Sequence, residues 1–127
     1  MIIGIGTDLV EIDRIRRLLD FHGDAFRRRV FTPAEIALAA ERRHIPEFYA
    51  GRWAAKEAAV KALGCGFGAE CRHTDIEILC GSDGEPVLRC RALPRRLRQA
   101  GAEHVFWHVS ITHERCYAAA FAVLELH

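Results

Sequence analysis

Residues 46 to 64 restrict the chain to folds organised around one long, closely packed helix. Pro46 opens the run, Gly64 stops it, and the interior is rich in alanine, whose small side chain lets neighbouring elements approach. The chain's only two lysines, Lys56 and Lys61, both fall in this helix, and every other one of its 18 basic residues is an arginine. Arginine is a planar donor that stays charged, whereas lysine is a compact ammonium with a tunable pKa. Keeping lysine here marks a candidate active-site helix. Glu57 and Lys61 also stand in the i,i+4 order of an ordinary solvated pair, which contributes roughly 0.3–0.5 kcal/mol.

The length of 127 residues, half of them apolar, suits one compact domain. No apolar run approaches the roughly 20 residues that cross a bilayer, and the opening Met1-Ile2-Ile3-Gly4 lacks a basic leader region, so a cytoplasmic, membrane-free protein is expected. Five cysteines without a Cys-x-x-Cys pair point away from a disulfide framework and a structural zinc site. Net charge is only +1, but Arg14, Arg16, Arg17, Arg27, Arg28 and Arg29 crowd one segment against Asp20 and Asp24. That patch is either a solvated face or a contact for an acidic or phosphorylated partner. Aromatic residues there are too sparse for a platform that stacks single-stranded nucleic acid.

Ile2 to Leu9 reads as a short buried strand ending near Asp8. An amphipathic helix with apolar Ile12, Ile15, Leu18 and Leu19 follows, broken at His22-Gly23-Asp24 before a second basic turn. Thr32-Pro33-Ala34-Glu35 carries a capping box, opening a helix expected to end near His44. After the lysine helix, Gly66 and Gly68 extend a flexible loop. Ile76–Cys80 and Val87–Cys90 form a hairpin, Pro94 to Ala100 a short basic helix, and Val105–Thr112 and Cys116–Leu124 two further strands. The expected fold class is α+β, a largely antiparallel sheet packed with a long central helix.

Three constellations carry possible chemistry. Asp8 is a carboxylate at the end of an apolar strand, which either caps the next helix or binds a cation. Trp53, Glu57 and Lys61 share a helix face, where a carboxylate and an ammonium can grip a metal ion and an adjacent phosphate oxygen. In Trp107 to Thr112, alternation sends Trp107, Val109 and Ile111 to one side and His108, Ser110 and Thr112 to the other, a polar row suited to a phosphate-bearing ligand.

Together these segments resemble the holo-acyl-carrier-protein synthases of the phosphopantetheinyl transferase superfamily. The resemblance rests on Gly4-Ile5-Gly6-Thr7-Asp8-Leu9 with Ile12 and Arg14, on Phe31-Thr32-Pro33-Ala34-Glu35, on Trp53-Ala54-Ala55-Lys56-Glu57-Ala58 with Lys61-Ala62-Leu63-Gly64, and on His108 to Glu114. It implies Mg²⁺-dependent transfer of the 4′-phosphopantetheine arm of coenzyme A to a serine of apo-acyl carrier protein. Adenosine 3′,5′-bisphosphate is released, and the reaction serves fatty acid biosynthesis. It further implies Asp8 and Glu57 as metal ligands and Lys61 beside the phosphates. It leaves the acceptor of the serine proton open among Glu57, Asp8, a metal-bound water and His108.

Implied coenzyme A contacts are Arg52, Lys61, Gly64, Gly66 and the loop through Gly68, Gly84, Pro86, His108, Ser110 and Thr112. Glu85 stands where similar sequences often carry lysine. Arg14, Arg17, Arg27 and Arg28 are the implied docking residues for the acidic carrier. The resemblance also implies a homotrimer with active sites between protomers, Asp8 and the lysine helix coming from different chains. Two other classes share parts of the pattern. A metal-dependent phosphohydrolase or nuclease would use Asp8, Glu57 and Lys61 but usually needs more carboxylates, and a non-catalytic binding module would use only the arginines.

Overall fold

A computed structural model describes residues 1–102 and 104–127. The element order is β1 (Ile2–Glu11), α1 (Ile12–Val30), α2 (Pro33–Ala40), α3 (Ile45–Leu63), a 3-10 turn (His73–Asp75), β2 (Ile76–Cys80), β3 (Pro86–Cys90), α4 (Arg95–Gln99), β4 (Val105–His113) and β5 (Tyr117–Leu126). Strands β1, β5 and β4 form an antiparallel sheet in that order, and β2 and β3 form a separate antiparallel hairpin. The fold is α+β, as the sequence pattern predicts.

Helix α3 is the core element. Its Ala54, Ala55, Ala58, Ala59 and Ala62 are buried, and facing them β5 presents buried Ala118, Ala120, Ala122 and Leu124. Alanine against alanine brings helix and sheet close, and β1 comes closer still. A Cβ on Gly4 would overlap the Ala62 carbonyl, and one on Gly6 would overlap the Ala58 carbonyl. These glycines are the close-approach surface on which β1 meets α3. Gly64 ends α3 in the left-handed conformation, its N–H closing on the Val60 and Lys61 carbonyls.

Thr32 and Glu35 make the expected capping box at the start of α2. Two expectations are corrected at element ends. The first strand continues to Glu11, because β5 offers pairing partners as far as Tyr117. Helix α2 stops at Ala40 rather than near His44, since the N–H groups of Glu41 and Arg42 turn back to the Leu38 and Ala39 carbonyls. At Gly23 the backbone leaves helical geometry (φ 50°, ψ −124°), so α1 is two helical segments joined at the break expected from His22-Gly23-Asp24, with Ile15 and Leu19 buried before it and Phe26 and Val30 after it.

Candidate active site

Alternation along β1 points Gly4, Gly6, Asp8 and Val10 at α3. Asp8 therefore lies at the helix face that carries Trp53, Glu57 and Lys61. The Lys61 ammonium donates to the Thr7 carbonyl at 2.9 Å and meets Asp8 Oδ1 at 3.4 Å. Lys61 thus pairs across to β1, and Asp8 is not a helix cap: Glu11 occupies the cap position of α1. Asp8 and Lys61 meet within one chain, which corrects the expectation that they come from different chains.

Burial pushes the Asp8 carboxyl above its ordinary range, and Lys61 and Arg14 act against that rise. Glu57 is likewise raised, first by burial and then by the negative charge of Asp8, while Lys61 and Arg14 oppose. The site thus brings two part-buried, mutually repelling carboxylates beside an exposed ammonium and a guanidinium. Arg14, expected at a docking surface, stands over the Trp53 ring with its guanidinium carbon 5.5 Å from the ring centroid. Trp53 continues into an aromatic row: His73 lies 5.8 Å from it and stacks on Phe67 at 3.7 Å. Phe67 belongs to the glycine loop following α3.

Arg52, Gly84 and Pro86 do come together, but elsewhere. With Arg42, Arg43 and His113 they line a cavity of about 430 Å³ between the start of α3, the hairpin turn and the end of β4. The Arg52 guanidinium lies over the Phe48 ring at 4.3 Å and donates to the Ile78 carbonyl at 3.3 Å. Arg52 is nine residues from Lys61 along α3, roughly 13 Å of helix. Gly64 and Gly66 sit beyond Lys61, so the expected coenzyme contacts fall into two groups at opposite ends of the helix. Glu85 folds back onto its own turn and accepts from the Asp83 N–H at 2.9 Å.

His108, Ser110 and Thr112 form the expected polar row, on the outer face of the sheet. They lie across the sheet from Asp8 and do not join its cluster in one chain. There the His108 Nε2 meets Glu125 Oε1 at 2.9 Å, a partner no sequence motif indicated, although register opposite β4 puts Glu125 on the same face. Of the docking arginines, Arg14, Arg17 and Arg28 are exposed. Arg27 is half-buried, paired with Asp24 at 3.4 Å and placed over the Tyr49 ring.

Lys56 has a different role from Lys61. Both it and Glu35 are fully buried, with Nζ and Oε1 2.8 Å apart. The cysteines are free thiols, and the Cys71 and Cys90 Sγ atoms donate to the Arg72 and Ala92 carbonyls, each at 3.6 Å. No helix among the described residues is long and apolar enough to cross a membrane.

A family model for the 4′-phosphopantetheinyl transferase superfamily matches residues 4–122. The holo-[acyl-carrier-protein] synthase of Maridesulfovibrio salexigens is 47% identical over 127 residues, covering 98% of this chain and 99% of the relative. That of Roseobacter denitrificans is 43% identical over 129 residues, covering 98% and 96%. Among solved structures, the Bacillus anthracis synthase in complex with CoA (3′,5′-ADP) superposes with a TM-score of 0.84 at 36% identity, covering 100% of this chain and 99% of that one. The Helicobacter pylori synthase in complex with coenzyme A gives 0.80 at 29% identity, covering 95% and 99%. With the family model matching residues 4–122 and relatives 43–47% identical over nearly the full length, the chain belongs to the holo-[acyl-carrier-protein] synthase family of 4′-phosphopantetheinyl transferases.

Proposed function

We propose that this chain, acting as a single domain over residues 1–127, transfers the 4′-phosphopantetheine arm of coenzyme A to a serine of apo-acyl carrier protein. Adenosine 3′,5′-bisphosphate leaves, in a cytoplasmic reaction that supplies fatty acid biosynthesis. The observation that carries the reading is the convergence of Asp8, Glu57 and Lys61 on one face of α3.

The donor set suits Mg²⁺. Two hard, part-buried carboxylates face each other, and among the described residues no third metal-binding side chain clusters with them. That leaves coordination positions for water and phosphate oxygens, as magnesium prefers. When bound between Asp8 and Glu57, Mg²⁺ supplies positive charge that stabilises the pyrophosphate as its bridge breaks.

The serine oxygen attacks the phosphorus that carries the pantetheine arm, and the bond from that phosphorus to the bisphosphate oxygen breaks. Lys61 holds its ammonium beside the departing phosphate, where it balances developing charge or delivers a proton. Arg52 and the basic cavity, with Gly84 and Pro86, are assigned to the nucleotide end of coenzyme A. Gly64 and Gly66 are assigned to its phosphates, where backbone N–H groups approach freely.

A homotrimer explains how these two halves meet. A neighbouring copy brings its arginine cavity and its His108, Ser110 and Thr112 row to the Asp8 cluster. The Glu125 carboxylate orients His108, which suits it to receive the serine proton. Arg14, Arg17, Arg27 and Arg28 dock the acidic carrier, raising association rate in a salt-sensitive way.

The test is to incubate the protein with apo-acyl carrier protein, coenzyme A and Mg²⁺, with a parallel EDTA sample, and weigh the carrier by mass spectrometry. The expected result is a metal-dependent gain of one phosphopantetheine, absent in folded Lys61→Ala and Glu57→Ala proteins. No gain across several carriers overturns the reading.

A further inference from the structure

Arg14 is set apart from the other arginines of α1 by where it is held. It lies in the first turn, six residues after Asp8, and its guanidinium sits over Trp53, the residue one turn before Glu57 on the same helix face. Cation–π contact fixes it there without neutralising it, because an aromatic ring carries no net charge. Among the described residues Arg14 has no carboxylate within ion-pair distance, whereas Arg16 pairs with Asp13 and Glu47, and Arg27 with Asp24. A guanidinium with no carboxylate partner of its own therefore stands near two part-buried carboxylates, one of which, Asp8, is already paired with Lys61. It is also exposed, open to an acidic partner arriving at α1.

We propose that Arg14 is a positioning residue that lowers the affinity of the Asp8–Glu57 pair for a divalent cation until an acidic group of the carrier protein pairs with it, so that carrier docking tightens the metal site. The inference rests on the function proposed above and adds to it a coupling between two ligands. Both the cation and Arg14 draw on the same negative charge. A carboxylate that engages the guanidinium from outside removes its repulsion of the cation. Linkage requires the reverse as well, so a bound cation must strengthen carrier docking by the same factor.

Mn²⁺ titration of the full chain, followed by the electron paramagnetic resonance of free Mn²⁺ without coenzyme A at low ionic strength, tests the first half. Arg14→Gln is expected to bind Mn²⁺ about fivefold more tightly than wild type, the size of one screened charge at a part-solvated site. Arg14→Lys keeps the charge and stays within about twofold of wild type, and Arg98→Gln, which removes the same charge from α4, changes nothing. Unchanged or weaker binding in Arg14→Gln, with a wild-type melting temperature, overturns the proposal. Apo-carrier binding with and without Mn²⁺ tests the second half. The cation strengthens it about fivefold in wild type and not in Arg14→Gln; an equal gain in both overturns the coupling. A Glu57→Gln protein that binds Mn²⁺ as well as wild type instead refutes the metal site on which the proposed function rests.

Discussion

Lys56 and Lys61 stand five residues apart on α3 and meet opposite surroundings. Lys61 reaches past the helix end to β1 and keeps over half of its side chain in water. Lys56 points inward, where all three ammonium protons are taken: by Glu35 Oε1 at 2.8 Å, by the His73 carbonyl at 2.9 Å and by the Ile76 carbonyl. Burial lowers its pKa, against the pull of Glu35. Glu35 is equally committed, accepting from the Thr32 N–H at 2.9 Å and the Ile78 N–H at 3.0 Å. The pair therefore ties α2, α3 and β2 together. Lys56→Ala leaves a buried carboxylate unpaired and is expected to cost about 3–5 kcal/mol in urea unfolding. That is a large share of the roughly 5–15 kcal/mol typical of a domain. Lys56→Met combined with Glu35→Gln removes both charges, keeps an acceptor for one of the two N–H groups, and should recover part of the loss. A double variant no more stable than Lys56→Ala would show that the charge itself is required.

The glycine loop from Gly64 to Gly68 owes its position to Phe67, which stacks on His73, and His73 in turn leans on Trp53 of α3. Burial lowers the His73 pKa, and the positive charges of Lys56 and Arg29 lower it further. A depressed histidine binds fewer protons folded than unfolded, so its contribution to stability is present above the ordinary value near 6.5 and is lost as pH falls through the window below it. Amide hydrogen exchange of residues 64–73, corrected for intrinsic rates, should accelerate as pH falls below the ordinary histidine value of 6.5 in wild type and lose that pH dependence in His73→Phe. An unchanged profile in the variant would rule out His73 as the titrating anchor. The extent to which this was legible in sequence differs by element. Caps and stops are local, so the Thr32–Glu35 box, the Pro46 start and the Gly64 stop could all be read directly. Long-range partners could not. Gly4 and Gly6 read as punctuation in a strand, yet their role is set by Ala58 and Ala62, over fifty residues away. Lys56 and Lys61 looked alike on a helix, because only α2 and β2 decide which of them is buried. Asp8 stayed ambiguous between cap and ligand until the pairing of β1 with β5 carried the strand three residues past it.

At the scale of the molecule, the sheet has one face filled and one bare. Helix α3 covers the inner face, while the outer face exposes Ile5 at 71%, Leu9 at 67% and Phe121 at 63%, with Phe106 and Tyr117 beside them. Register makes the patch continuous, since Thr7, Phe121 and Ser110 fall in one row and Leu9, Ala119 and Thr112 in the next. A contiguous apolar face of this kind marks an association surface, and here it carries His108, Ser110 and Thr112, the residues missing from the Asp8 cluster within one chain. Self-association through it joins two otherwise unexplained facts, the exposed aromatic residues and the divided ligand contacts. Light scattering after gel filtration is therefore expected to give a mass near three times the 14.3 kDa of one chain. Phe121→Glu places a charge in the middle of the patch, where desolvating it without a partner is costly. The variant should run as a folded monomer, because Phe121 points away from the core, and should lose transferase activity with Asp8, Glu57 and Lys61 all intact. A monomeric Phe121→Glu protein with full activity would place every working group in one chain, and the arginine cavity and the Asp8 cluster would then have to be reached by one coenzyme without a neighbour. Loss of activity, restored by mixing Phe121→Glu with an excess of a Lys61→Ala protein that retains the native face, would assign the outer-face contribution to the partner copy.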